Sequence, residues 1–437
     1  MKLRLGGCGL LALVALSCGG SGGNVMTTPP DSGISATGML GQPSTALISG
    51  NLIFVNASLD MMPEVTRTFG VLIDSGSPVL LIDPTLFGAN PPMQIATTID
   101  LGLLDAQGQP VVTIENAPAF QISTQMMDAL GFGGILGGNV MRNFSVQLDY
   151  SAPMMEGFCL GCTASTTRTD VQSPGGVVDF TLAGGGNRAV GLSATLDSPV
   201  TDLPPSRIPV TVTIDGTDHL CIVDTGATVV SLRSTVYASL VADGRAQLTS
   251  GITIMTVAGA SNAAVTRAKS ITVGGQTVLD PSVMTIMSND TDSLLMSISV
   301  EVNKQIDCLL GGSYLRNFLV TIDYPVGELH LQPYDTAPIP DEFRRVGFTI
   351  GLDVTGKHFV VQAVYPNTDA AAQGVMVNDE IVAVDGVTLS GFVASADATL
   401  DGALGTSKMI TFGAMTGDAS LANQTVSIKV DDLIPNP

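Results

Sequence analysis

The stretch CIVDTGAT, Cys221 to Thr228, ends an apolar run with a carboxylate, a hydroxyl residue and a glycine in immediate succession. The stretch VLIDSGSP, Val71 to Pro78, shows the same order of chemistry in the first part of the chain. A single tripeptide of this kind occurs in many turns. Two copies, each at the end of a strand-like run, predict a shared structural role.

The likeness between the two parts of the chain extends beyond these stretches. ILGGNVMRNFSVQLDY, Ile135 to Tyr150, and LLGGSYLRNFLVTIDY, Leu309 to Tyr324, carry the same residue at nine of sixteen positions. Each copy follows its own Asp-hydroxyl-Gly element, and the apolar runs before the two elements are also similar. The sequence therefore predicts one architectural unit that occurs twice.

The composition favours strands over helices. The chain has 437 residues, of which 45% are hydrophobic and only 5% aromatic, with 49 glycines and 24 prolines. Its Val-, Ile- and Thr-rich runs alternate with period two or are wholly apolar, and turn residues separate them. We therefore predict a mainly β chain of two or three domains. The net charge of −21 without a basic cluster argues against nucleic acid as a partner.

The paired motifs resemble those of the aspartic proteases. Each Asp-Ser/Thr-Gly is followed by an apolar-apolar-Gly triplet, Ile135-Leu136-Gly137 or Leu309-Leu310-Gly311. The units are closer to the short retroviral (retropepsin-like) type than to a full pepsin lobe, and the resemblance spans roughly residues 45–335. It implies a bilobal pair of β-barrels, a monomer with an internal pseudo-dimer, polypeptide substrates, and neither a cofactor nor a metal.

By this resemblance Asp74 and Asp224 form the catalytic pair. Two carboxyls held close together share one proton, so that one can activate a water while the other donates a hydrogen bond to the developing oxyanion. The alternative is that both are turn-capping carboxylates. The residues expected to support the pair are Ser75, Gly76, Ser77, Thr225, Gly226, Gly137 and Gly311.

The N-terminus, MKLRLGGCGLLALVALSC, resembles a bacterial lipoprotein signal. The resemblance implies that residues 1–17 are removed and that Cys18 is lipidated, with an ordinary secretion signal as the alternative. Residues 18–44 read as a flexible Gly/Ser/Pro tether. The expected location is the bacterial cell envelope, anchored by lipid to the outer membrane, on its periplasmic face or at the cell surface.

Four further cysteines lie in the body of the chain. The spacing of Cys159 and Cys162 favours a local disulfide in an oxidising compartment, because no second Cys or His pair accompanies it to make a zinc site. Cys221 and Cys308 lie on strands that the resemblance makes neighbours. They either pair or pack as small apolar residues.

Residues 340–432 resemble a PDZ domain, an α+β fold, in the run that ends VNDEIVAVDG. Carried over by position, the peptide-binding loop lies within residues 345–351 and includes Gly347, Phe348, Ile350 and Gly351. Such loops hold a carboxylate or an extended peptide with backbone amides. The alternative is a structural cap that binds nothing.

The expected organisation is a signal peptide (1–17), a tether (18–44), lobe 1 (45–160), a connection (161–200), lobe 2 (201–335) and a PDZ-like domain (340–432). The favoured function is a membrane-tethered aspartic endopeptidase whose PDZ-like domain assists polypeptide recognition. A different class of function is an inactive peptide-binding or scaffold lipoprotein. A third reading, an enzyme active only as a dimer of whole chains, is unnecessary if one chain carries both half-sites.

Overall fold

The structure is a computed structural model of the chain. It describes residues 11–13, 26–27, 33–60, 66–87, 96–122, 124, 126–127, 131–151, 157–165, 168–185, 200–201, 203–249, 252–256, 259–287, 290–336, 339–353, 355–390, 393–414 and 421–434. Cys18 and most of the predicted signal lie outside the described residues. Within them, no helix has the length and apolar character needed to cross a membrane.

Short strands dominate the described residues between 11 and 160. We call residues 33–160 the first unit. They are β1 Leu11–Leu13, β2 Met26–Thr27, β3 Ser35–Gly38, β4 Pro43–Ser44, β5 Ala46–Ser49, β6 Leu52–Asp60, β7 Thr66–Ile73, β8 Leu80–Ile82, β9 Ala96–Leu104, β10 Pro110–Gln121, β11 Gly134–Leu136, β12 Ser145–Leu148 and β13 Phe158–Leu160. A 3-10 helix covers Pro84–Phe87, and helix α1 covers Gly138–Met141.

The next strands belong to the connection and to the second unit (203–334). They are β14 Gly176–Asp179, β15 Val200–Thr201, β16 Pro209–Ile214, β17 Thr217–Val223, β18 Val230–Leu232, β19 Gln247–Leu248, β20 Thr253–Thr256, β21 Gly259–Arg267, β22 Ser270–Val273, β23 Gln276–Leu279, β24 Ser282–Ile286, β25 Cys308–Leu310, β26 Phe318–Asp323 and β27 Glu328–Pro333. The helices are α2 Ser234–Ala242, α3 Asp290–Val302 and α4 Gly312–Leu315.

The two units have matching strand connections. In the first, β7 pairs in parallel with β11, with Ile73 opposite Leu136. In the second, β17 pairs in parallel with β25, with Val223 opposite Leu310. In both, the strand that leads into the Asp motif therefore lies beside the apolar-apolar-Gly triplet. The mainly β fold class is confirmed.

The repeated tails of the two units pair with each other. Strands β12 and β26 run antiparallel at the centre of a six-stranded sheet, so that Val146 faces Ile322 and Leu148 faces Val320. This register relates the two copies by a pseudo-two-fold axis. Alternating apolar residues explain such strands: in β16, for example, Val210, Val212 and Ile214 are buried while the threonines between them are less so.

The predicted tether extends too far toward the C-terminus. Strand β3 pairs with β10, and the hydroxyls of Ser35 and Thr37 donate to the Glu115 carboxylate at 3.1 and 3.0 Å. Strand β4 pairs with β13 at the edge of the six-stranded sheet. Residues 35–38 and 43–44 are therefore part of the first unit. Short polar strands next to glycines read as linker because their sequence carries no apolar alternation.

The last part of the chain (339–434, the C-terminal unit) is an α+β arrangement. Its strands are β28 Arg344–Val346, β29 Phe348–Leu352, β30 Phe359–Val364, β31 Ile381–Val384, β32 Val387–Thr388, β33 Ser407–Phe412 and β34 Thr425–Asp432. A five-stranded sheet has the order β28-β34-β33-β31-β32, and a separate hairpin pairs β29 with β30. The helices are α5 Asp369–Ala372 and α6 Val393–Ala398.

Candidate active site

Asp74 and Asp224 each directly follow the strand that leads into their motif. The backbone amide of Asp74 donates to Leu136 O at 3.1 Å, and that of Asp224 donates to Leu310 O at the same distance. The apolar-apolar-Gly triplets therefore fix where each Asp leaves its strand. This contact gives a physical reason for the spacing of the two motifs in the sequence.

Each Asp is also held by the turn that follows it. Oδ1 of Asp74 accepts from the amides of Gly76 at 2.8 Å and Ser77 at 3.0 Å. Oδ1 of Asp224 accepts from the amide of Gly226 at 3.0 Å. One oxygen of each carboxyl is thus fixed by the backbone, which leaves Oδ2 for chemistry.

The two loops are joined by reciprocal hydrogen bonds. The Thr225 hydroxyl accepts from the Ser75 amide at 2.9 Å and donates to Ile73 O at 2.9 Å. The Ser75 hydroxyl accepts from the Thr225 amide at 3.1 Å and donates to Val223 O at 2.9 Å. Each hydroxyl therefore crosses to the other unit's strand end. The hydroxyl in the motif is explained by this exchange.

The motif glycines allow the carboxyls to approach. A Cβ on Gly76 would collide with the carboxyl of Asp224, and a Cβ on Gly226 would collide with that of Asp74. Only a residue without a side chain fits at either position.

The triplet glycines lie against the backbone of the same loops. A Cβ on Gly137 would collide with the Val79 carbonyl, and one on Gly311 would lie 2.6 Å from Val229 O. Ser77 donates to Val79 O at 2.9 Å, a bond that Ala227, at the equivalent place, cannot make. All the residues predicted to support the pair thus lie at or beside the two loops.

Both carboxyls are buried, since Asp74 is 0% and Asp224 1% exposed. Burial raises the pKa of Asp74 well above its ordinary value, and the charge of the neighbouring Asp224 raises it further. Burial also raises the pKa of Asp224, against lowering contributions from the charge of Arg207 and from the turn amides. Within the described residues, Oδ2 of each has no hydrogen-bond partner. The raised pKa values favour a pair that holds one proton between its two carboxyls.

Arg207 is a residue at this site that the sequence did not reveal. It is 3% exposed, its Nη1 donates to Gly76 O, and its Nη2 pairs with Glu301 at 3.2 Å. Its charge lowers the pKa of both motif carboxyls. No local pattern marks it, because Glu301 lies far along the chain on α3 and Gly76 belongs to the other unit.

The four body cysteines form two disulfides. Cys159 pairs with Cys162, as the spacing favoured. Cys221 pairs with Cys308 between neighbouring parallel strands, which selects pairing over simple packing. Among the described residues, no cluster of three or more His, Cys, Asp or Glu side chains could hold a metal ion.

The peptide-binding loop predicted in the C-terminal unit is closed in this structure. Phe348 and Ile350 are buried in the core of the unit, at 0% and 1% exposure. The Ile350 amide donates to Oδ1 of Asp397, on α6, at 2.9 Å. A side chain of the same unit therefore takes an amide that an extended ligand would use. Gly347 packs against Thr368 and Gly351 against Gln362. Peptide recognition here stays a prediction, and it requires the Asp397 side chain to release the Ile350 amide.

Part of the chain is similar to one known protein family. A family model described as aspartyl protease matches residues 210–314, which run from β16 into α4 and include Asp224 and Gly311. Less than half of the chain is matched. No curated protein matches the sequence.

A solved structure also matches. The crystal structure of an aspartic proteinase from Irpex lacteus is 13% identical over the aligned residues, with a TM-score of 0.40. The match covers 70% of this chain and 99% of the other.

Proposed function

We propose that this protein is an aspartic endopeptidase that hydrolyses peptide bonds with the Asp74 and Asp224 carboxyls. The observation that carries the proposal is the reciprocal exchange between Ser75 and Thr225, which brings two buried carboxyls together with Oδ2 of each unengaged. The aspartyl protease model supports it at the second motif.

The proposed chemistry needs only these two carboxyls and a water. The ionised carboxyl takes a proton from the water as the water oxygen bonds to the peptide carbonyl carbon. The protonated carboxyl donates to the carbonyl oxygen, which becomes the oxyanion of the tetrahedral intermediate. The C–N bond then breaks, the amine leaves with a proton from the pair, and the shared proton is restored. Arg207 and the turn amides stabilise the remaining negative charge.

The test is cleavage of unfolded casein between pH 3 and 7, with and without pepstatin. Asp74→Asn and Asp224→Asn should each lower kcat by several orders of magnitude, roughly 10³-fold or more, and the double variant should lose little more, since the carboxyls act as a unit. Asp179→Asn, on the exposed face of β14, is the matched control. Near-normal activity of either Asn variant would refute the mechanism. A wild-type chain that binds but never cleaves polypeptides would favour the scaffold alternative.

Membrane attachment through Cys18 is part of the same proposal and rests on the lipoprotein-like N-terminus. A single lipidated residue would carry the anchor. Cys18→Ser should therefore move the protein out of the membrane fraction or leave it unprocessed. Unchanged fractionation with normal processing would show that the attachment point is elsewhere.

A further inference from the structure

The C-terminal unit begins with a buried carboxylate that contacts both other units. Glu342 is 9% exposed. Its Oε1 accepts from the Ser282 hydroxyl, and its Oε2 accepts from Nη1 of Arg316 and from Nδ2 of Asn51, the last at 3.1 Å. Ser282 and Arg316 belong to the second unit, whereas Asn51 belongs to the first. One side chain therefore joins all three units.

Asn51 connects this carboxylate to the loop that bears Asp224. Its Nδ2 also donates to Thr228 O at 2.9 Å, and its Oδ1 accepts from Arg316 at 3.3 Å. The Cβ atom of Asn51 lies against Gly312, and a side chain at position 312 would collide with it. Hydrogen bonds thus hold both the nitrogen and the oxygen of the Asn51 side-chain amide. The orientation of this amide depends on the charge pair between Arg316 and Glu342.

A second set of contacts joins the C-terminal unit to the second unit. The buried Arg267, on β21, pairs with Asp341 at 2.8 Å and Asp432 at 2.9 Å, and its Nε donates to Ile434 O at 2.9 Å. Helix α6 packs against β5 of the first unit. The C-terminal unit therefore contacts both lobes through buried groups.

Apolar packing continues this contact toward the active site. Four buried side chains of the C-terminal unit lie in one hydrophobic cluster with Ala227 and Val229, which follow the second motif. They are Phe343, Tyr365, Leu433 and Ile434.

We propose that the C-terminal unit is a clamp on the catalytic body, and that Glu342 is a positioning residue which holds the Asp224 loop through Asn51. This role rests on the proposed peptidase function and adds a dependence of that site on the C-terminal unit. This role differs from substrate recruitment, because the side chains of the C-terminal unit on which it rests contact the first and second units and do not line a free groove.

The substitution Glu342→Gln tests the clamp in the full chain. Gln can keep these three contacts if its nitrogen donates to the Ser282 hydroxyl and its oxygen faces Arg316 and Asn51, but Arg316 then loses a buried counter-charge and its contact with the Gln oxygen is weaker. Glu380→Gln is the matched control, because Glu380 pairs with His358 inside the C-terminal unit. Hydrogen exchange over residues 224–232 should be faster in Glu342→Gln and unchanged in Glu380→Gln. Unchanged exchange in both variants would overturn the proposal.

Kinetics separate positioning from general loosening. On a short peptide from a casein cleavage site, well below the melting temperature, Glu342→Gln should lower kcat about 10-fold and change KM less than about 2-fold, since misplacement of a catalytic group costs turnover more than binding. If Glu342 acts through Asn51, the double variant Asn51→Ala/Glu342→Gln should match Asn51→Ala alone. Additive losses would contradict a role through Asn51. Because exchange does not depend on cleavage, an inactive wild-type chain would refute the peptidase and leave the clamp to be judged by exchange alone.

Discussion

At the scale of single residues, the carboxyls proposed to be catalytic also affect the stability of the fold. Because burial raises the pKa of both Asp74 and Asp224, and the charge of Asp224 raises that of Asp74 further, the folded state binds a proton more tightly than the unfolded chain does. The contribution of such groups to stability is present below the unfolded pKa, about 3.9, and is lost as the pH rises through the raised folded pKa. At neutral pH the pair is therefore destabilising.

Asp74→Asn should accordingly be more stable than the wild type at pH 7, although we expect it to be inactive. Asn keeps an oxygen for the Gly76 and Ser77 amides and removes the buried charge. We expect Tm to rise by a few degrees at pH 7, and the difference to disappear near pH 3, where both chains are neutral at this position. Thermal unfolding of Asp74→Asn and of the exposed control Asp179→Asn across pH 3–8 measures this. A gain that is the same at every pH would show that the pair's ionisation is not its cause.

Residues of the site differ in how visible they are in the sequence. Asp74 and Asp224 are recognisable because strand, carboxylate, hydroxyl and glycine are contiguous, and because the pattern occurs twice. Arg207, Asn51 and Glu342 are not, because their partners are distant in sequence and none of them belongs to a repeated motif. Long-range pairing of single charged residues leaves no periodic signal.

At the scale of elements, the crossing between the two loops holds the units together at the pair. Thr225→Val keeps the shape of the side chain but removes the acceptor for the Ser75 amide and the donor for Ile73 O. Two buried backbone groups are then unsatisfied. We expect a loss of about 3 kcal/mol in the free energy of unfolding, measured by urea titration, together with reduced activity.

The same loop provides the control for this prediction. The hydroxyl of Thr228 is buried and has no hydrogen-bond partner among the described residues. Thr228→Val should therefore be neutral or slightly stabilising. Equal losses in both variants would mean that the two sites tolerate valine poorly for steric reasons, and that the crossing bonds contribute little.

Strands with apolar alternation could be read from the sequence, and strands without it could not. The runs before both motifs, and the two tails that pair as β12 and β26, follow period two or are wholly apolar. Strands β3 and β4 lie in a Gly-, Ser- and Pro-rich stretch, and only their partners β10 and β13 make them strands. Tertiary pairing overrode local composition there.

At the scale of the whole molecule, the sequence separates the C-terminal unit from the lobes, whereas the structure joins them. The resemblance to PDZ domains suggested an independent recognition module. In the structure, carboxylates of the C-terminal unit instead pair with Arg267 and Arg316, two buried arginines of the second unit. Apolar side chains of the C-terminal unit also pack into the core of the second unit. A module boundary inferred from sequence says nothing about which buried charges cross it.

A chain that ends at residue 338 should therefore lose more than substrate choice. Removal of Asp341, Glu342 and Asp432 would leave Arg267 and Arg316 buried without their counter-charges, at a cost of about 3–5 kcal/mol for each broken buried pair, and would expose the cluster that contains Ala227. We expect an aggregating or strongly destabilised protein that fails to cleave even a short peptide.

A chain that ends at residue 434 is the control, because it keeps every contact described above. Addition of residues 339–437 as a separate polypeptide should restore some activity if the loss comes from missing contacts. A folded 338-residue chain with unchanged kcat on a short peptide, and an altered KM only for long polypeptides, would instead support the recruitment role that the sequence suggests.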